Sequence, residues 1–204
     1  MRIVALGDCN TGHKSKYGLP KRIYHAWADI LGYELPDFTL ISRGVSGDSY
    51  QGMWLRWQED VLDEIPDIVV VFGGISNFTG GSADPNFTKH RGLDIRESVR
   101  NMVSSAKGNG VRIFLVSVQP FKNSKYWTEE KQGWENSFNK WMEDFSLSQG
   151  IVFINAYKYL EDPGNPGAIK KEFDAWSGYH LSLTGHDALG KFVTKHVMEV
   201  LNER

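Results

Sequence analysis

The sequence predicts an α/β domain in which five strands form a mostly parallel sheet covered by helices on both faces. Three observations carry that expectation. Short apolar runs of strand length recur from end to end, they are rich in Val, Ile and Phe, and the segments between them repeat their apolar residues at helical spacing. The 204 residues suffice for one ordinary domain with a sizeable core, and no internal repeat or linker divides them, so residues 1–204 are read as a single domain.

The strands fall at residues 3–6, 38–41, 68–72, 111–118 and 151–156. Between the first two, Leu19, Ile23, Ala26, Trp27, Ile30 and Leu31 recur at steps of three and four, with Pro20 near the start and Gly32 as the stop. A second stripe, Met53, Trp54, Trp57 and Val61, ends at Pro66; a third, Val99, Met102, Val103 and Ala106, ends at Gly108. In the last helix Ala188, Leu189, Phe192, Val193, Val197, Val200 and Leu201 share a face, and Thr184 with Asp187 reads as its capping box. Trp127, Trp134, Phe138, Trp141 and Phe145 form an aromatic stripe down one helix. Packing on the sheet is its simplest account, with a groove or sugar-facing surface as the alternative.

Composition excludes several classes of function. Hydrophobic residues at 41% and charged residues at 24% rule out a disordered chain. A net charge of -2, with basic side chains scattered rather than interleaved with aromatics, predicts no nucleic-acid partner. No run approaches the ~18 apolar residues of a spanning helix, so no membrane partner is expected. The apolar N-terminus meets Gly7 and Asp8 before a signal-peptide core forms, which makes the cytoplasm the default location. The single cysteine, Cys9, excludes a disulfide within the chain and a multi-cysteine zinc site. His13, His25, His90, His180, His186 and His196 form no ligand-spaced group, so neither metal nor cofactor is expected. Asn77-Phe78-Thr79 and Asn86-Phe87-Thr88 match the glycosylation sequon, a triplet common by chance. Residues 7–15 nearly spell a phosphate-binding loop, but His13 is inserted between Gly12 and Lys14, which displaces the lysine from the phosphates.

Ligands of an open parallel sheet sit at the carboxyl ends of its strands. The residues there are Gly7-Asp8-Cys9-Asn10, Ser46-Gly47-Asp48-Ser49, Phe72-Gly73-Gly74-Ile75-Ser76-Asn77-Phe78 and, before the last helix, Ser177-Gly178-Tyr179-His180-Leu181-Ser182. In this order and spacing the four blocks resemble the SGNH (GDSL) hydrolase family over nearly the whole chain. The resemblance implies a flavodoxin-like three-layer α/β/α sandwich and hydrolysis of esters or thioesters, from acetylated sugars to lipids. It also implies a serine nucleophile in the first block, glycine and asparagine oxyanion donors in the second and third, and an Asp-x-x-His pair in the fourth.

Carried onto this chain, the resemblance puts Cys9 at the nucleophile, Gly47 at the oxyanion glycine and His180 at the base. Ser177 stands where the orienting aspartate belongs, and Asp174 is a second candidate for that role. In the third block Ser76 takes the asparagine position and Asn77 the following one; with one inserted residue, Asn77 itself becomes the donor. Asp8 is read as structural, accepting backbone hydrogen bonds in the turn.

Two expectations follow. In the first, Cys9 and His180 form a dyad that hydrolyses short-chain acyl or carbohydrate acetyl esters, with the Cys9 and Gly47 amides and Ser76 or Asn77 holding the oxyanion. A thiol at a strand-to-helix turn near an imidazole is readily ionised, and a thiolate depends less on a third carboxylate than a serine does. In the second, the substituted site is retired and the domain serves as a carbohydrate-binding or structural module, for example in a virion. The partner implied is a small-molecule or glycan ester.

Overall fold

A computed structural model describes residues 1–12, 26–79 and 94–202. Five strands, β1 (Arg2–Gly7), β2 (Thr39–Gly44), β3 (Ile68–Phe72), β4 (Arg112–Val116) and β5 (Val152–Ile154), form one all-parallel sheet in the order β2-β1-β3-β4-β5. This agrees with the five expected runs. The last two strands are shorter than their apolar runs, because residues beyond Val116 and Ile154 leave the sheet to supply loop contacts.

Alternate residues of each strand enter opposite layers, as the two-residue period of a strand dictates. Val4, Leu6, Val69, Val71, Ile113 and Leu115 join one core, against α2 (Tyr50–Leu55), α5 (Ile95–Gly108) and α6 (Glu129–Gln149). Ile3, Ala5, Ile68, Val70, Phe72, Phe114 and Val116 join the other, against α1 (Trp27–Glu34), α7 (Ala156–Leu160) and α8 (Leu183–Asn202). Each Val or Leu so buried contributes about 1.5–3 kcal/mol. Helices α1 and α8 come close enough that a Cβ on Gly190 would lie 2.5 Å from Ile30 Cβ.

Helix boundaries depart from the sequence pattern in three places. Helix α1 runs through Gly32 to Glu34, with Gly32 close against the Leu40 side chain (Cδ2 3.1 Å from a built Cβ); the part of this stripe before Ala26 lies outside the described residues. The second stripe is broken into α2, α3 (Trp57–Asp60) and a 3₁₀ turn (Leu62–Glu64), because Arg56 between them takes a non-helical ψ of 11° while its side chain is held by Asp48 and Asp60. Helix α8 is entered at Ser182, whose Oγ accepts from Gly185 N at 3.1 Å, while Asp187 pairs with Lys191, so the Thr184–Asp187 box is not the cap.

The aromatic stripe lies mainly on α6, with Trp127 just before it. Phe138 is buried and Trp127, Trp134, Trp141 and Phe145 pack partly buried on the same core, as the simpler account expects. Among the described residues no helix is long and apolar enough to cross a membrane.

Candidate active site

The strand order reverses direction between β1 and β3, so the crevice of the sheet opens at the carboxyl ends of these two strands. A Cβ on Gly7, the last residue of β1, would lie 1.9 Å from Phe72 O, and only glycine lets the two strand ends approach this closely. Next comes Asp8, fully buried. Its carboxylate accepts from Asn10 N at 3.0 Å and Ile75 N at 3.2 Å, and its carbonyl accepts from Thr11 N and Gly12 N, both at 3.1 Å. The turn carrying Cys9 is therefore pinned to the loop after β3, which bears out the structural reading of Asp8. Burial pushes the Asp8 carboxyl up to about 6 and nearby Asp48 adds to this, against the pull of the donated backbone hydrogens. Cys9 itself is 5% exposed. The helix expected to follow it, and the Lys14–Ser15 end of the phosphate-loop pattern, lie outside the described residues.

The second block folds over the same crevice. Gly47 is exposed at φ 76°, a left-handed conformation that favours glycine, with open space around it. Ser49 caps α2, its Oγ accepting from Gly52 N at 3.1 Å. Arg56 fixes this loop to the sheet: it donates to Asp48 Oδ2 at 2.7 Å, Arg43 O at 2.8 Å and Gly7 O at 2.9 Å.

In the third block, Ser76 opens a single helical turn, α4 (Ser76–Thr79), and is half-buried. Asn77 is buried, and both ends of its amide are engaged with α2: Oδ1 accepts from Tyr50 N at 3.1 Å, and Nδ2 donates to Gln51 Oε1 at 2.8 Å. Its side chain is a strut between the second and third blocks. The same burial withdraws the Asn77 sequon from the surface; the Asn86 sequon lies outside the described residues.

The fourth block is a loop closed on itself, in which Asp174 and Leu181 form an antiparallel bridge and Ala175 N donates to His180 O at 2.9 Å. Ser177 Oγ accepts from His180 N at 2.8 Å and lies 3.0 Å from His180 Nδ1. The Asp174 carboxylate accepts from Gly178 N at 3.0 Å, where it caps the turn. Asn10, the residue after Cys9, clasps this loop on both sides of His180: its Nδ2 donates to Tyr179 O and its Oδ1 accepts from Leu181 N, each at 3.0 Å. Gln119 Nε2 donates to the same Tyr179 carbonyl at 3.0 Å. The Tyr179 ring stands 4.1 Å from the imidazole, and its phenol is raised above the usual range by burial, then by Tyr126 and Cys9.

Cys9, Gly47, Ser76, Ser177 and His180 thus lie in four loops at the carboxyl end of the sheet. Asn77 belongs to the scaffold beneath them. The sequence by itself assigns no role to Asn10, Gln51 or Gln119. Asn10 carries a faint signal, since it lies inside the first block, but the two glutamines carry none.

The chain is 27% identical over 210 aligned residues to a protein described as the uncharacterized lipoprotein YqeF of Bacillus subtilis, covering 90% of this chain and 84% of that one. The fold matches that of a lipase/acylhydrolase from Enterococcus faecalis with a TM-score of 0.75 at 20% identity, over 96% of this chain and 94% of the other. It also matches an acetylxylan esterase from Geobacillus stearothermophilus, TM-score 0.69 at 18% identity, over 95% and 92% of the two chains. The sequence model of the GDSL-like lipase/acylhydrolase family matches residues 5–188, from the first strand into the last helix. With all four loops of the crevice inside that match, the chain belongs to the GDSL-like lipase/acylhydrolase family.

Proposed function

We propose that this chain is an ester hydrolase acting on short acyl groups, with acetylated carbohydrate as the favoured substrate, and that Cys9 and His180 do the work of the family's serine and histidine. The observation that carries the reading is the 3.0 Å contact between Ser177 Oγ and His180 Nδ1. Ser177 Oγ accepts from His180 N at 2.8 Å and, at a long 3.4 Å, from Tyr179 N; in this reading the shorter contact to Nδ1 is one in which the hydroxyl oxygen accepts the Nδ1 hydrogen. That tautomer leaves Nε2 as the basic nitrogen.

A neutral hydroxyl orients the ring but does not stabilise an imidazolium as a carboxylate would. A thiol makes less of that demand, because it is some six orders of magnitude more acidic than an alcohol and is the stronger nucleophile. The pairing of Cys9 with Ser177 is therefore chemically coherent. His180 takes the thiol proton and the sulfur attacks the ester carbonyl. Gly47 N–H and the Ser76 hydroxyl stabilise the oxyanion. His180 then protonates the departing alcohol, leaving a thioester on Cys9; a water deprotonated by His180 attacks it, releases the acid and restores the thiol.

Support for the carbohydrate side comes from the aromatic residues beside His180 and from the acetylxylan esterase with the same fold. The test is hydrolysis of a short-chain aryl ester, with and without a thiol alkylator, compared with Cys9→Ala and His180→Ala. Activity lost in both variants and on alkylation is expected. A rate no higher than that of Cys9→Ala, with a glycan ester bound but not turned over, would establish the retired binding module instead.

A further inference from the structure

Trp176 is 96% exposed and holds a left-handed backbone, φ 62°, which a bulky side chain adopts only at a cost. The only other non-glycine residue of this kind among the described residues is Ile65, in the turn leading into β3 at the far end of the sheet. Trp176 immediately precedes Ser177 in the loop that carries His180. Ile65 is exposed too, at 81%, but only at Trp176 do exposure of a large aromatic side chain and a left-handed backbone coincide in a loop that carries a candidate catalytic residue.

The loop is built to hold that conformation. Asp174 caps Gly178 N, Ala175 N bonds His180 O, and Ser177 Oγ takes the His180 N–H. A Cβ on Gly178 would lie 2.2 Å from Ser124 N, so the loop is also pressed against the segment carrying Lys125 and Tyr126. Tyr126 is 38% exposed and meets Tyr179 edge-on at 6.0 Å, and Tyr179 in turn lies against His180.

We infer that Trp176 is a specificity-determining residue, an aromatic platform that stacks on the pyranose ring bearing the acyl group, on the alcohol side of the scissile ester. The inference rests on the ester-hydrolase reading above. An acyl chain needs an enclosing apolar wall, which a ring exposed on both faces does not supply. A pyranose needs one flat apolar contact for its C–H face and polar surroundings for its hydroxyls. Exposed Asn123 and Lys125, on the loop against which this one is pressed, supply the second requirement.

The experiment compares kcat/KM for O-acetylated xylotetraose and O-acetylated chitotetraose with that for para-nitrophenyl acetate in the unsubstituted chain and in Trp176→Ala, Trp176→Tyr and Trp176→Gly. Titration calorimetry of the two oligosaccharide esters on Cys9→Ala and on Cys9→Ala/Trp176→Ala runs alongside. Trp176→Ala is expected to lower kcat/KM for at least one sugar ester about tenfold more than for the aryl ester, chiefly through KM, with Trp176→Tyr restoring most of the loss. Trp176→Gly should show the same loss with a higher melting temperature, because it relieves the strained φ. Equal losses on sugar and aryl esters, or an unchanged calorimetric affinity, would overturn the platform, as would failure of both oligosaccharides to bind Cys9→Ala. Binding that depends on Trp176 in a chain without turnover would instead uphold the platform and remove the hydrolase reading.

Discussion

The amide of Asn10 donates to the carbonyl of Tyr179 at 3.0 Å, and its oxygen accepts from the next peptide, at Leu181 N, at the same distance. One side chain thereby sets the register between the Cys9 turn and the His180 loop, 169 residues apart in the chain. Asn10→Ala leaves Leu181 N without its acceptor and Tyr179 O with Gln119 alone. Urea unfolding should show a loss of about 1–3 kcal/mol. Turnover of an aryl ester should fall further than the folded fraction does, because the nucleophile and base lose their common reference. Unchanged stability in Asn10→Ala would mean that this clasp is incidental.

Ser177 and Cys9 are predicted to be energetically coupled. In the unsubstituted chain a hydroxyl suffices to orient His180, because the nucleophile is a thiol. Cys9→Ser alone should lose about a hundredfold or more in kcat, since a serine alcohol needs the imidazolium stabilised. Adding Ser177→Asp supplies the missing charge and should recover a large part of that loss, while Ser177→Asp alone has a much smaller effect. Rates from the four chains of this square decide the matter: additive effects, with no recovery in the double variant, would refute the coupling.

Much of this fold is legible in the chain because a parallel sheet buried on both faces leaves continuous apolar runs, and β3 at Ile68–Phe72 coincides with its run residue for residue. Helix breaks are harder to read. Nothing local in Met53, Trp54, Trp57 and Val61 marks the interruption at Arg56, which arises from bonds to Gly7 O and Arg43 O in other elements. At α8 two capping patterns compete, and Ser182 prevails over Thr184 because its hydroxyl also donates to Glu172 O. The site follows the same division. Cys9, Gly47 and His180 stand at strand ends and in short blocks. The duties of Gln119 and Gln51, and the committed state of Asn77, depend on partners 26 or more residues away that no local spacing encodes.

Asp8 makes stability depend on pH in the direction opposite to that of a salt-bridged carboxylate. Its folded-state pKa, about 6, lies above the ordinary aspartate value of 3.8, so between these values the folded chain binds the proton more tightly than the unfolded one. Its contribution is greatest below about pH 3.8 and is lost as pH rises through 6, a difference of about 3 kcal/mol. Asp8→Asn should flatten the stability profile between pH 4 and 6. Glu135, held by burial well above 4.5, acts in the same direction, so Asp8→Asn/Glu135→Gln should be flatter still. Denaturant midpoints across this range give the test, and an undiminished slope in Asp8→Asn would remove Asp8 from the account.

Ser76 and Asn77 are adjacent, yet their substitutions should separate cleanly into chemistry and folding. Asn77 spends its oxygen on Tyr50 N and its nitrogen on Gln51 Oε1, both buried. Asn77→Ala strips partners from two buried groups and should cost about 2–4 kcal/mol of stability, at 1–3 kcal/mol for each stranded group less what relaxation recovers. Turnover per folded molecule should change little. Ser76 is half-buried at the opening of α4, and its hydroxyl is not part of that strut. Ser76→Ala should leave the unfolding midpoint nearly unchanged and lower kcat about 10²-fold, the lower end of what an oxyanion donor contributes. Ser76→Asn, which restores the family's residue, should retain or raise kcat. If Asn77→Ala instead abolished turnover in a fully folded chain while Ser76→Ala was silent, the alignment with one inserted residue would be right and the oxyanion would belong to Asn77.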